Sequence, residues 1–199
     1  MQFKIKDTKI IISFTFFALV LLLNIFKKTE FLYISIFSAI LHEIGHLVAL
    51  KIFGAEITEF RISLFGCNIK SNKNNKISYY EEILISFLGP FTNLFLSVFL
   101  FVVNFNFDNE LVKNIIIMNL VMGLFNLLPF NSFDGGKIIK LFIENKFNER
   151  IADFTVSIVS FVVLIPFSYV AFLNFLNSDN DFYLLIVSVF MFLTIILKK

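Results

Sequence analysis

The sequence predicts an all-α polytopic membrane protein with six transmembrane helices and a short β-hairpin after the second. Three observations carry this. Hydrophobic residues make up 58% of the 199 positions and the mean hydropathy is +0.85, so lipid is the natural solvent. The apolar residues fall into runs long enough to cross a bilayer, separated by short polar connectors. The connector after the second run switches to strand periodicity. At this length one membrane-embedded domain over residues 1–199 is expected.

The first run, Ile10 to Phe26, follows Lys4, Lys6 and Lys9. It begins like a signal peptide, but it is long for one and has no small-residue cleavage site before Lys27 and Lys28, so a retained helix is expected. The second runs from Phe31 to Phe53 and stops at Gly54. Phe60-Arg61-Ile62-Ser63-Leu64 then alternates apolar and polar, and Gly66 turns the chain back toward Cys67-Asn68-Ile69-Lys70, which predicts the hairpin. Ser71 to Lys76 is a polar loop.

The third run, Tyr79 to Val103, contains Gly89-Pro90-Phe91-Thr92-Asn93. The fourth, Leu111 to Leu128, passes through Asn126 into Pro129 and then Asn131-Ser132-Phe133-Asp134-Gly135-Gly136. Such a sequence implies unwound backbone, tolerated at membrane depth only where it is buried or lines a wet cavity. Lys137 to Arg150 is a short amphipathic stretch. The fifth run, Phe154 to Leu176, is expected to kink at Pro166, and Phe182 to Leu197 is the sixth.

Six crossings put both termini on one side. With the N-terminus cytoplasmic, fourteen of the seventeen Lys and Arg residues fall inside, as the positive-inside rule requires. The expectation is a multi-pass cell-membrane protein with cytoplasmic termini. A net charge of +2 does not point to nucleic acid, and the single cysteine, Cys67, excludes an intramolecular disulfide.

The chemistry lies in the second run. His42 and His46 are the only histidines, and four positions apart on a helix they share one face, about 6 Å apart along the axis. Two imidazoles so placed reach one tetrahedral metal ion, and Glu43 beside them can take a proton from water. The alternative is a packed core histidine. Against it stand three ionisable residues inside one apolar span, each at a cost of about 2.5–3.5 kcal/mol at a bilayer centre.

Two histidines leave zinc short of a protein ligand. Asp134, between the proline turn and two glycines, is the best candidate, with a helix N-cap or turn aspartate as the alternative. A membrane asparagine often just hydrogen-bonds a neighbouring helix, worth about 0.6–2 kcal/mol. That is the reading for Asn93, with Gly89 and Pro90 permitting close packing. For Asn126 it stands level with support of the reaction.

His42-Glu43-x-x-His46 in an early span, Gly89-Pro90-x-x-Asn93 in the next, and Asn126-x-x-Pro129 followed by Asp134-Gly135 resemble the site-2 protease family of intramembrane zinc metalloproteases. The resemblance covers roughly Leu41 to Gly136 and implies a three-helix catalytic core over about 31–136. It implies one zinc ion per chain held by His42, His46 and Asp134, with Glu43 as general base and Asn126 holding the substrate carbonyl or its oxyanion. It also implies that the hairpin pairs with an unwound substrate. A compact chain with no inserted PDZ domain resembles the bacterial branch containing the sporulation protease that processes pro-sigma-K. This chain departs from that branch in ending after the sixth run, with no CBS domain, and in carrying Asn131-Ser132 before the aspartate.

The reading is therefore a zinc endopeptidase cutting a membrane-embedded or membrane-associated protein near the cytoplasmic face. Its expected surroundings are the bilayer, the protein substrate, and a regulatory membrane partner or a second copy of itself. A metal transporter or sensor using the same His/Asp cluster is the rival; hydrolysis needs the base Glu43, whereas transport does not. An inactive scaffold is disfavoured by the complete set of reactive side chains.

Overall fold

The computed structural model of the chain describes residues 2–5, 8–12, 29–55, 57–63, 66–71, 77–104, 109–177 and 182–196. They form, in order, β1 (Gln2–Ile5), β2 (Thr8–Ile12), α1 (Thr29–Ile52), β3 (Ile57–Ser63), β4 (Gly66–Ser71), α2 (Tyr79–Asn104), α3 (Glu110–Asn126), α4 (Asp134–Glu144), α5 (Glu149–Asn177) and α6 (Tyr183–Ile196). Two compact units result, Met1–Leu124 and Phe125–Lys199.

In the first unit α1 packs along α2. Helix α1 carries Glu30 in its first turn and Lys51 in its last, each matched to the helix dipole. It closes in a Schellman motif: Gly54 takes φ +70°, its N–H donates to Lys51 O at 3.2 Å, and the Ala55 N–H donates to Leu50 O at 2.9 Å. Ala55 and Leu50 join the buried cluster with Ala49 and Ile85 that seals this end. Helix α2 begins in a capping box. The Ser78 N–H donates to Glu81 Oε2 at 2.7 Å, and the Glu81 N–H donates to Ser78 Oγ at 3.3 Å. Along its exposed face Phe87, Phe91, Phe95 and Phe99 form a ladder with successive ring centroids 5.8, 6.1 and 6.3 Å apart.

The same unit holds a four-stranded sheet in the order β1-β2-β3-β4. β1 and β2 are antiparallel, β2 and β3 parallel, and β3 and β4 antiparallel, with Ile10 opposite Phe60 and Ile62 opposite Cys67. The fold is thus not all-α, and the two-stranded hairpin expected after the second span gives way to this larger mixed sheet, of which β3 and β4 are the last two strands. The run expected to open the first transmembrane helix gives Ile10–Ile12 to β2 instead, as suits three consecutive β-branched residues. Residues 13–26 of that run lie outside the described residues.

The six-span expectation is corrected as well. Among the described residues, three helices are long and apolar enough to cross a membrane: Glu30–Ile52, Tyr79–Asn104 and Glu149–Leu176. Helix α3, with 17 residues, and α6, with 14, are short. At 1.5 Å per residue they reach about 25 and 21 Å, against a hydrocarbon core of about 30 Å.

In the second unit, Phe130, Leu164, Met191 and Ile195 form the buried core between the 127–133 turn, α5 and α6. The turn is pinned to α5 where Ser160 Oγ donates to Pro129 O at 2.9 Å and Asn131 Nδ2 donates to Ser157 Oγ at 3.2 Å. Lys140 on α4 lies 3.0 Å from Asp153, 3.4 Å from Glu149 and 3.5 Å from Glu144. Burial alone would lower the pKa of Lys140. The hydrogen bond that Lys140 donates to Asp153, the charges of Asp153 and Glu144, and a further hydrogen bond to Glu149 outweigh it and hold the amine above the usual lysine value.

Candidate metal centre

Helix α1 presents His42 and His46 one turn apart on the face that meets α2, both buried. The helices approach closely because two glycines meet there. A Cβ on Gly45 would run into Thr92 Oγ1, the Leu88 carbonyl and the Gly89 Cα, and one on Gly89 would run into the His46 ring. Small residues at this crossing let α2 lay its own polar groups against the imidazoles.

Those groups fix both rings. The His46 Nδ1 lies 2.8 Å from the Ile85 carbonyl, which only accepts, so that nitrogen carries the proton. The His42 Nδ1 lies 2.9 Å from Asn93 Oδ1 and donates to it. In each neutral ring the lone pair is therefore on Nε2. The two Nε2 atoms stand 3.2 Å apart, with the rings edge-on at 84°. Two lone pairs turned toward each other at that distance repel unless a cation joins them. Nitrogens bound tetrahedrally to zinc at 2.0–2.1 Å lie about 3.3 Å apart. The pair is pre-spaced for such an ion, and the backbone carbonyl and amide behind it are the usual outer support of a zinc histidine.

Asn93 is a residue the sequence reading placed in helix packing only. It is fully buried, and besides receiving His42 it donates from Nδ2 to Ser38 O at 3.0 Å and to Asn119 Oδ1 at 2.8 Å. The sequence offered only its position as a hint. Asn93 follows Gly89 by one turn, and Gly89 is the residue that lets the helix reach the histidines.

The other predicted residues are placed as follows. Glu43 is half-buried on α1 beside His42. Asn126 is the last residue of α3 and also half-buried. Asp134 belongs to the second unit and is the first residue of α4, not its N-cap. The cap position is Phe133, extended at φ −109°, ψ 162°, and its side chain makes no capping bond. Gly135 and Gly136 behind Asp134 press against backbone, where a Cβ would meet the carbonyls of Leu127, Leu128 and Phe130. The turn beneath is closed by Phe130 N–H to Leu128 O at 2.8 Å and Phe133 N–H to Phe130 O at 2.9 Å. Asp134 is thus carried on a rigid corner.

Comparison with known proteins agrees with this chemistry. Residues 109–167 match peptidase family M50. A zinc metalloprotease of Methanocaldococcus jannaschii is 30% identical over 146 residues, covering 68% of this chain and 42% of the relative. A Bacillus subtilis protein named as a peptide zinc metalloprotease is 29% identical over 115 residues, covering 55% of this chain and 46% of its own. The chain spans less than half the length of these curated relatives. In fold it resembles the solved site-2 protease from Methanocaldococcus jannaschii, with a TM-score of 0.71 at 22% identity over 98% of this chain and 93% of that one.

Proposed function

This chain belongs to the site-2 protease family of zinc metalloproteases, and on that premise we propose that it is an intramembrane zinc endopeptidase. The observation that carries the reading is the pair of histidines with both Nδ1 atoms committed and both Nε2 atoms 3.2 Å apart. The proposed ligand set is His42, His46 and Asp134, each offering one ligand atom of a type zinc accepts, with one ion per chain. The catalytic core in this proposal spans about 31–136.

Zinc in such a site supplies Lewis acidity toward a carbonyl and toward water. The chain's own residues supply the rest. Glu43 takes the proton of the attacking water and passes it to the departing amine. The Asn126 side-chain amide donates to the oxyanion that develops on the scissile carbonyl. A helical substrate shields its carbonyls in its own hydrogen bonds, so the segment cut is one that unwinds readily. The substrate is a membrane-embedded or membrane-associated protein; pro-sigma and anti-sigma factors are the class that the sequence resemblance suggests.

The connector at 54–78 carries Arg61, Lys70, Lys73 and Lys76, and we place it on the cytoplasmic side. Pairing of β2 with β3 supports a cytoplasmic N-terminus, since hydrogen-bonded strands share one side of a membrane. By the same charge rule Lys198 and Lys199 put the C-terminus there.

The test is metal analysis of the purified protein together with Glu43→Gln. The variant should keep its zinc and lose cleavage of a co-reconstituted membrane substrate. Full cleavage by Glu43→Gln would remove the proposed base, and transport of zinc by the reconstituted chain without proteolysis would favour the transporter reading.

A further inference from the structure

We infer that Asn93, backed by Asn119, is a positioning residue that sets the tautomer of His42 and through it the grip of the site on zinc; the inference rests on the zinc reading above. The polarity of the network is forced from its far end. Asn119 lies 2.9 Å through Nδ2 from the Ile115 carbonyl, which only accepts, so the other end of the amide, Oδ1, faces Asn93. Asn93 donates one proton to that oxygen at 2.8 Å and the other to the Ser38 carbonyl at 3.0 Å. Both protons are then spent, and the group Asn93 turns to His42 is its oxygen. His42 must donate from Nδ1, and its Nε2 keeps the lone pair that a metal needs.

Two backbone carbonyls, Ser38 on α1 and Ile115 on α3, thus dictate the tautomer of the His42 ring through the two amides. Asn93 and Asn119 are both 0% exposed, so bulk water does not stand in for either amide. Reversing the Asn93 amide would set its nitrogen against His42 and its oxygen against the Ser38 carbonyl and Asn119 Oδ1. That arrangement opposes like poles twice and favours the tautomer that cannot bind zinc through Nε2.

The experiment measures zinc affinity of the purified full chain by chelator competition, with thermal stability and the visible spectrum of the cobalt-substituted protein recorded in parallel. Asn93→Ala should weaken zinc binding about 10–100-fold and alter the cobalt spectrum. Asn93→Asp keeps an acceptor for His42 while opposing oxygens to Ser38 O and Asn119. It should therefore be less stable than wild type yet bind zinc more tightly than Asn93→Ala. Zinc affinity for Asn93→Ala within twofold of wild type overturns the inference, as does affinity that merely follows stability across the two variants. If neither variant folds, the nitrogen-15 spectrum of histidine-labelled wild type decides. With only two histidines, both signals should show a proton on Nδ1 and none on Nε2, and an Nε2–H signal overturns the inference. A wild-type chain that takes up no zinc in the same titration overturns the reading beneath it.

Discussion

Gly89 on α2 stands directly behind the imidazole of His46, where even a methyl group would overlap Nε2, Cε1 and Cδ2 of the ring. The ring has nowhere to retreat, because its Nδ1 is held 2.8 Å from the Ile85 carbonyl. Gly89→Ala therefore puts about 1–3 kcal/mol of overpacking onto a proposed metal ligand, while helix propensity alone favours alanine by about 0.8–1 kcal/mol. Zinc affinity and proteolysis should fall at least tenfold while thermal stability of the metal-free protein moves little. Wild-type zinc affinity in Gly89→Ala would show that the helices part easily here.

Asp134 separates a ligand from a helix-end charge. If it holds zinc, Asp134→Ala and Asp134→Asn both lower the zinc stoichiometry and abolish cleavage. A first-turn aspartate acting only on the helix dipole is worth about 0.3–1 kcal/mol, and its loss would leave the metal content alone. Unchanged zinc in either purified variant excludes Asp134 from the ligand set.

Gly54→Ala tests the corner that ends the helix carrying both histidines. Nothing lies within 4 Å of an added Cβ, so the whole penalty is the left-handed backbone at φ +70°. The expected loss is about 1–2 kcal/mol of stability, with Gly54→Asn falling less. An equal loss in both variants would mean that the corner is not set by backbone conformation.

Lys140 predicts a pH dependence. Its pKa is raised in the folded chain, so its contribution is fully present below the ordinary lysine value of 10.5 and fades as pH climbs through the raised one. Lys140→Met should be less stable than wild type at pH 7 to 9 by about 0.2–1 kcal/mol per exposed pair lost. The gap should narrow above pH 10.5 and shrink in high salt. A gap that stays constant across alkaline pH would assign the effect to packing of the lysine stem.

Much of the site was legible because its logic is local. The spacing of His42 and His46 fixes their common face on any helix, and Glu43 comes with them. What Asn93 does was hidden, since its partners Ser38, His42 and Asn119 are far away in sequence and become neighbours only when three helices pack. The sheet was misread for the same reason. Gln2-Phe3-Lys4-Ile5 alternates as a strand should, but the long apolar run after it reads as the start of a membrane helix. Periodicity carries no word about the strand that will accept Ile10–Ile12 from the far side of α1. The span count failed on length, where apolar composition in α3 and α6 outran the distance their residues cover.

The parallel pairing of β2 with β3 has a consequence for biosynthesis. β2 leaves the ribosome before α1 and its partner only afterwards, so its open edge must wait while the helix bearing both imidazoles is laid down. Closing that ladder ties the start of the chain to the stretch immediately downstream of the histidines. A chain shortened by its first dozen residues would leave β3 with a raw border in its place.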